Sequence, residues 1–291
     1  MPTGKGKSFR LLVLRGGVWC LGVACIVFPV AFAEPVRDIE DIAARLNAAA
    51  AHCDALSLDA LGDVHYDDFS APFWLVHLEP SGPPSRRVLL TGGVHGDEPA
   101  GCEAALRFVE ESAVSPNRYS GVAVDVIPLV NPWGWAHDKR ANGARIDLNR
   151  DFASYAAQES RLVHAFVQGT IYDLVLDLHE DGGAKGFYLY QIDNEEKALC
   201  RHIIALIREQ GYPIARNARM LFLQSRNGII DAPGWTLWTA QFLHQLSLTN
   251  YCRLTKSERV FLFETPSRMP MEDRVTMHRI ALHALLETVA H

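Results

Sequence analysis

The chain has 291 residues, of which 48% are hydrophobic and 21% are charged. This composition suffices to bury one large core or two small ones, and it excludes a disordered, collagen-like or coiled-coil protein. The formal net charge of −6 argues against nucleic acid as a partner, because phosphate backbones are bound by basic surfaces.

The first 33 residues have the pattern of a signal peptide. Four basic residues are followed by an apolar run at residues 16–33, which ends in Ala31-Phe32-Ala33, the small-x-small pattern of a cleavage site. We therefore expect residues 1–33 to be removed on export to the periplasm or the medium, leaving residues 34–291 as one domain. The alternatives are an uncleaved anchor, although the run is shorter than the roughly 20 residues of a spanning helix, and a lipid anchor on Cys25.

Removal of this segment would leave 24 Lys and Arg against 34 Asp and Glu, a net charge near −10. Cys53, Cys102, Cys200 and Cys252 would remain in a compartment that permits oxidation. Four cysteines allow three pairings, and buried free thiols are the alternative.

Residues 38–53 open the domain with apolar residues at helical spacing and Asp38 as the cap. Residues 64–78 predict two short strands broken at Pro72. Four apolar runs then alternate with helical segments: strands at 87–90, 122–130, 174–178 and 260–263, and helices at 100–111, 158–168, 195–210 and 274–289. This alternation predicts an α/β fold, a single-domain, mostly parallel mixed sheet with helices on both faces. Ligands of such sheets bind beyond the carboxyl ends of the strands.

Polar residues follow all four predicted strands. They are His95 and Glu98 after the first, Arg140, Asn149 and Arg150 after the second, Asp177, His179, Glu180 and Asp181 after the third, and Glu264-Thr265-Pro266 after the fourth. Two histidines and a carboxylate are the usual ligands of a hydrolytic zinc ion, so His95, Glu98 and His179 are candidate ligands. Asp177 would orient the imidazole of His179, and Glu180 and Asp181 are predicted to be solvated loop acids. The alternative to a metal site is that residues 95–98 are only the polar start of a helix and that His179 is an imidazole at the rim of the core.

The order of these motifs resembles the zinc carboxypeptidases of the M14 family. The resemblance rests on His-x-x-Glu, Asn-Pro, Asp-Leu-Asn-Arg, Asp-x-His and Glu-Thr-Pro between about Arg87 and Pro266. It implies one Zn²⁺ per chain, held by His95, Glu98 and His179, and a carboxypeptidase-like fold. Because only about 50 residues separate the predicted signal from the first motif, we expect a short form without a pro-domain.

The resemblance also implies the roles of the remaining residues. Glu264 would assist a zinc-bound water, Arg140 would stabilise the oxyanion, and Asn149 and Arg150 would bind the free C-terminal carboxylate of a peptide substrate. For an exported bacterial enzyme of this form, cell-wall muropeptides are a natural substrate class. No pocket residue is identifiable, and Tyr188, Tyr190 and Tyr251 receive no role.

Two other functions remain open. An N-acyl amino acid deacylase of the succinylglutamate desuccinylase and aspartoacylase type has a similar zinc triplet and Asp-Leu-Asn-Arg motif. A non-catalytic protein that binds peptide termini would keep the fold. Four tryptophans could form a platform for such binding, but closely spaced aromatic residues more often belong to the core: Trp133, Trp135, Trp235 and Trp238. Residues 220–238 are predicted to form a loop that covers the site.

Overall fold

A sheet of eight strands forms the centre of the described fold. The computed structural model describes residues 36–67, 69–192, 196–216, 218–220 and 223–290, and the predicted signal peptide lies outside them. The strands are β1 (Leu56–Tyr66), β2 (Phe69–Leu78), β3 (Arg86–Gly92), β4 (Val122–Ile127), β5 (Leu174–Asp181), β6 (Tyr188–Ile192), β7 (Arg219–Met220), β8 (Leu223–Gln224), β9 (Ile229–Ala232) and β10 (Val260–Pro266). The helices are α1 (Ile39–His52), α2 (Pro99–Val114), α3 (Pro132–His137), α4 (Gln158–Val167), α5 (Lys197–Glu209), α6 (Trp235–Phe242), α7 (Leu248–Thr255) and α8 (Met271–Ala290).

The main sheet has the strand order β1-β2-β4-β3-β5-β10-β6-β9, and β7 and β8 form a separate pair. Its four middle strands, β4, β3, β5 and β10, are parallel, whereas β2 pairs with β4, and β6 with β10, in the antiparallel sense. The predicted mixed, mostly parallel α/β sheet is confirmed. The predicted runs at 87–90, 174–178 and 260–263 lie within these middle strands, and the run at 122–130 extends three residues beyond the end of β4. Strands covered on both faces can be apolar throughout.

Two hydrophobic cores lie on opposite faces of the sheet. α1, α2, α5 and α8 pack on one face, and α4, α6 and α7 contribute to the core on the other. Side chains alternate between these faces along each strand. In β5, Leu176 and Leu178 point into the first core, which places Asp177 and His179 on the opposite face. The alternation thus separates the packing residues of the middle strands from the polar ones.

Pro72 does not break a strand, contrary to the sequence-based expectation. It lies inside β2 opposite Asp63 of β1, and the chain turns instead near Asp67, whose φ is +35°. β4 pairs with β2 only at residues 76–78, so no neighbouring strand on that side requires an N–H from residue 72. The first two predicted strands are therefore longer than expected and form a hairpin.

The described residues within 220–238 form strands and a helix rather than the predicted loop. β9 pairs in parallel with β6 at the edge of the sheet, and α6 follows it. The core prediction is wrong for Trp235 and Trp238, which are 53% and 66% exposed. Trp133 and Trp135 are partly buried.

Cys53, Cys102, Cys200 and Cys252 are buried free thiols, so none of the three possible disulfide pairings among them is formed.

Among the described helices, none is both long enough and apolar enough to cross a lipid bilayer.

The contact between α2 and β5 generates a prediction about stability. A Cβ atom at Gly101 would lie 2.4 Å from the carbonyl oxygen of Leu178, so Gly101→Ala must push α2 away from the strand. We expect the free energy of unfolding to fall by about 1–3 kcal/mol in urea denaturation. Gly169→Ala is the control, because a Cβ there meets nothing within 4 Å. Equal stability of the two variants would contradict this account of the packing.

Candidate metal centre

The carboxyl ends of three parallel strands bring together residues that are distant in sequence. His95 follows β3, His179 lies near the end of β5, and Glu264 lies on β10 directly beside His179 in the register. Glu98 is the residue immediately before α2. Parallel strands end at the same edge of a sheet, so this topology places all four side chains at one edge.

Glycines allow the chain to approach closely around His95. Gly93 has a φ of +63°, in the region that favours glycine, and lets the chain turn after β3. A Cβ atom at Gly96 would lie 1.9 Å from the carbonyl carbon of Gly134, so only glycine permits this contact with α3. Arg37 also connects the two segments, because its Nη1 donates to the carbonyl oxygen of Gly96 at 3.0 Å and to that of Trp135 at 2.6 Å.

His95, Glu98 and His179 form a compact group of metal-binding atoms. One donor atom from each lies within 4.8 Å of the others, and the three residues are 3%, 7% and 2% exposed. Both imidazoles turn Nδ1 toward the Glu98 carboxylate, at 2.6 Å from Oε1 for His95 and 2.7 Å from Oε2 for His179. The structure therefore brings the three predicted ligands together around one point.

The other nitrogen of each imidazole faces an aspartate. His179 Nε2 lies 2.8 Å from Asp177 Oδ2, which confirms the predicted contact, and the Thr91 hydroxyl donates to Asp177 Oδ1 at 2.7 Å. His95 Nε2 lies 3.2 Å from Asp147 Oδ1. Such carboxylates hold the proton on Nε2 and leave the Nδ1 lone pair for a metal. Sequence reasoning missed the role of Asp147, although this residue begins the Asp-Leu-Asn-Arg motif.

The charges around this group fit a divalent cation. Burial alone would raise the pKa of Glu98, but the imidazoles, His179 first, hold that pKa well below its ordinary value. Burial, reinforced by the carboxylates of Glu98 and Asp181, raises the pKa of Glu264 well above its ordinary value despite the opposing effect of His179. Glu264 Oε2 is buried and has no hydrogen-bond partner among the described residues. Two imidazoles and a carboxylate, oriented by further carboxylates, are the donor set of a hydrolytic zinc site.

The three predicted substrate-side residues lie beside the metal-binding group. Arg140 is half exposed, and its Nη1 and Nε lie 3.3 Å from Glu98 Oε1 and 3.2 Å from Asp147 Oδ2. Asn149 Oδ1 accepts from the backbone N–H of Leu248 at 3.3 Å, which fixes the amide. Arg150 Nη1 donates to the carbonyl oxygen of Asn149 at 2.6 Å. Asn149 and Arg150 share one turn of 3₁₀-helix at Leu148–Arg150, which places them next to each other.

Glu180 and Asp181 are not the solvated loop acids that the sequence predicted. Both belong to β5, and Glu180 is 5% exposed, forms an ion pair with Arg274 and accepts from the backbone N–H of Ala100 at 2.9 Å. Asp181 Oδ2 accepts a hydrogen bond from the Tyr188 hydroxyl at 2.9 Å. β5 extends further than its apolar run, so its last residues are packed rather than solvated.

The residues of the site line one cavity of about 360 Å³. Its lining includes all seven residues predicted from the sequence: His95, Glu98, Arg140, Asn149, Arg150, His179 and Glu264. Tyr188, Tyr190 and Leu262 also line it, and sequence reasoning assigned them no role. The alternation of the tyrosines along β6 was the available signal, since residues two apart in a strand share a face. A larger cavity of about 590 Å³ lies elsewhere, between α2 and α8, and is lined by none of these residues.

The fold is that of the metallo-carboxypeptidases, as the comparison with solved structures shows. A candidate metallopeptidase from Shewanella denitrificans OS217 has a TM-score of 0.70 at 21% identity, covering 87% of this chain and 91% of that chain. A metallo-carboxypeptidase from Burkholderia cenocepacia has a TM-score of 0.66 at 18% identity, with coverages of 86% and 68%. The carboxypeptidase-like fold that the resemblance implies is therefore confirmed.

Sequence comparisons relate the chain to two kinds of hydrolase. The sequence model of the succinylglutamate desuccinylase/aspartoacylase catalytic domain matches residues 84–225. Carboxypeptidase SOL1 of Arabidopsis thaliana is 31% identical over 93 residues, covering 28% of this chain and 18% of that protein. Carboxypeptidase 2 of Trichophyton tonsurans is 29% identical over 106 residues, covering 35% and 20%. The chain thus spans about a fifth of the length of these curated relatives.

The two aspartates behind the imidazoles generate a prediction about metal affinity. We expect Asp177→Asn and Asp147→Asn each to weaken zinc binding about 10- to 100-fold, because the imidazoles lose the charged partners that orient them. A chelator competition assay measures this. Asp125→Asn is the matched control, since the buried Asp125 carboxylate has its Oδ1 2.6 Å from Nδ1 of the half-buried His77, in a pair that lines no part of the cavity. Equal zinc affinity in all four proteins would contradict the assignment.

Proposed function

We propose that the protein is a zinc-dependent carboxypeptidase that hydrolyses the C-terminal amide bond of peptides. The observation that carries this proposal is the shared cavity, in which the His95–Glu98–His179 group, the Glu264 carboxylate and the Arg150 guanidinium all take part. A hydrolytic group, a proton carrier and a carboxylate receptor within one cavity are what cleavage next to a chain end requires.

Zinc held by His95, Glu98 and His179 would supply a Lewis acid and a water of lowered pKa. Glu264 is the proton carrier: it takes the proton of the water that attacks the carbonyl carbon and passes it to the amine as the C–N bond breaks. Burial raises the pKa of the Glu264 carboxyl, which favours its holding the proton until the amine leaves. Arg140 faces the negative charge that develops on the carbonyl oxygen.

Recognition of the chain end falls to Asn149 and Arg150. A guanidinium presents two parallel N–H groups that match the two oxygens of a carboxylate. The bond from Arg150 to the Asn149 carbonyl and the bond from Leu248 to the Asn149 amide orient both side chains in advance. A preorganised pair of this kind favours substrates with a free terminal carboxylate over amidated ones.

The proposal extends to location and substrate class. The predicted signal peptide supports export to the periplasm or the medium, where cell-wall muropeptides are peptides with free termini.

A second candidate function is hydrolysis of N-acyl amino acids. It is favoured by the match of residues 84–225 to the desuccinylase and aspartoacylase catalytic domain, a range that includes the three metal-binding residues, Asn149 and Arg150. Glu264 lies outside that range. The curated carboxypeptidases and the predicted export signal support the peptidase instead. A protein that only binds peptide termini would not need the buried Glu264 carboxylate beside the metal-binding group.

Glu264→Gln tests the catalytic proposal. The variant should bind about one zinc per chain, as wild type does, because Glu264 is not among the metal-binding residues. We expect kcat/KM for peptides with free C-termini to fall about 10²- to 10⁴-fold with the loss of the proton carrier. Metal analysis and peptide hydrolysis are measured side by side, with an N-acyl amino acid in the same panel. Cleavage of the N-acyl amino acid alone by wild type would favour the deacylase.

Arg150→Met tests recognition of the terminal carboxylate. We expect kcat/KM for free C-termini to fall about 100-fold, from the loss of two charge-assisted hydrogen bonds. Arg150→Lys should lie between, because lysine keeps the charge but lacks the planar fork. The same peptides with amidated C-termini serve as the control. A proportional loss on amidated peptides would show that Arg150 does not read the carboxylate.

A further inference from the structure

One wall of the cavity consists of oxygen-bearing side chains from β5, β6 and β10. We call Asp181, Tyr188, Tyr190 and Glu264 the acidic wall. Glu264 lies opposite Tyr188 in the antiparallel register, and Leu262 lies opposite Tyr190, so the four side chains of β6 and β10 share one face. The two tyrosine rings lie 5.6 Å apart between centroids, and the Tyr188 hydroxyl donates to Asp181 Oδ2 at 2.9 Å. The wall therefore continues from Glu264 into the cavity.

The hydroxyl of Tyr190 is unsatisfied within this wall. The residue is only 4% exposed and lines the cavity, yet its oxygen has no hydrogen-bond partner among the described residues. A buried tyrosine hydroxyl ordinarily finds a partner, because leaving a buried polar group unpaired costs free energy. The neighbouring Tyr188 hydroxyl gives its own proton to Asp181. A group that enters the cavity would therefore find an available oxygen at Tyr190.

The electrostatics of the wall indicate which group suits it. Burial raises the pKa of Tyr190, and the carboxylates of Glu264 and Asp181 raise it further, while the neighbouring Tyr188 hydroxyl acts to lower it. Arg140 and Arg150 act instead on Asp147, where both lower the pKa of the carboxyl. The acidic wall thus combines carboxyl groups with tyrosine hydroxyls, and the arginines influence a different part of the cavity.

We propose that Tyr190, together with Asp181, selects substrates whose C-terminal residue carries an N–H donor on its side chain. An ammonium group is preferred to an amide group. This inference rests on the proposed function, in which Asn149 and Arg150 hold the terminal carboxylate. The side chain of the bound residue then extends along Leu262 toward the hydroxyl of Tyr190. Tyr190 accepts a hydrogen bond from the donor, and Asp181 supplies the complementary charge.

The two competing side-chain classes fit the wall less well. An apolar side chain would cover the Tyr190 hydroxyl and leave it buried without a partner. A carboxylate would approach Glu264 and Asp181 and be repelled by both. Lysine and norleucine isolate the relevant difference, because norleucine is lysine without its ammonium group.

The first measurement is binding, which does not depend on turnover. Free L-lysine and L-norleucine are titrated by NMR into the zinc-loaded full chain, in wild type and in Tyr190→Phe. We expect wild type to bind lysine about tenfold more tightly than norleucine and Tyr190→Phe to lose most of that preference. Tyr172→Phe is the matched control: Tyr172 is also buried, and its hydroxyl donates to Asp125 outside the cavity. Equal binding of the two amino acids by wild type, or an unchanged preference in Tyr190→Phe, would overturn the inference.

The second measurement separates this inference from the proposed function. Blocked dipeptides that end in lysine, glutamine, norleucine or glutamate are compared by kcat/KM, together with N-acetyl-lysine and N-acetyl-norleucine. Hydrolysis of all four dipeptides at similar rates would leave the carboxypeptidase standing and overturn the selection by Tyr190. Hydrolysis of N-acetyl-lysine in preference to N-acetyl-norleucine, with no dipeptide cleaved, would overturn the peptidase and support the selection. A lysine preference that disappears in Tyr190→Phe but persists in Tyr172→Phe supports both.

Discussion

The site depends on one buried carboxylate. Glu98 lies between two imidazoles, and each of its oxygens faces an Nδ1 atom at 2.6 to 2.7 Å. Glu98 Oε2 also accepts from the backbone N–H of Glu180 at 3.0 Å, which connects α2 to β5. A buried charge must be paired to be tolerated, so the end of β3, the start of α2 and the end of β5 are drawn to the same point. The same arrangement that satisfies the carboxylate creates the metal-binding group.

The C-terminal helix α8 supports the residues that surround Glu98. The backbone of Glu180 donates to Glu98, and Arg274 of α8 pairs with the Glu180 carboxylate. His278, also on α8, lies near the Thr265 hydroxyl at 3.2 Å, and burial lowers its pKa to about 3, so that it is neutral under ordinary conditions. A neutral imidazole adds no positive charge behind the metal-binding group. The C-terminal helix therefore contributes both a cation that balances Glu180 and an uncharged contact behind β10.

The sequence predicted the middle of the sheet and the metal-binding group because both depend on local pattern. Apolar runs mark β3, β4, β5 and β10, and the chemical residues stand directly after them. Long-range contacts were not predictable in the same way. Nothing local to Asp147 shows that it reaches His95, and the packing of Glu180 depends on Arg274, which lies 94 residues away. Tyr190 lines the cavity only because β6 turns back beside β10, and the exposed aromatic residues of α6 depend on how that helix lies on the core.

Arg37 connects the start of the described chain to the loop of His95. Its guanidinium joins the carbonyl of Gly96, next to His95, to α3, and the neighbouring N–H of Val36 donates to Ala136 at 2.6 Å. These two residues come only a few positions after the predicted cleavage site at Ala33. The carbonyl group next to His95 is thus held by a side chain that lies 59 residues earlier in the chain.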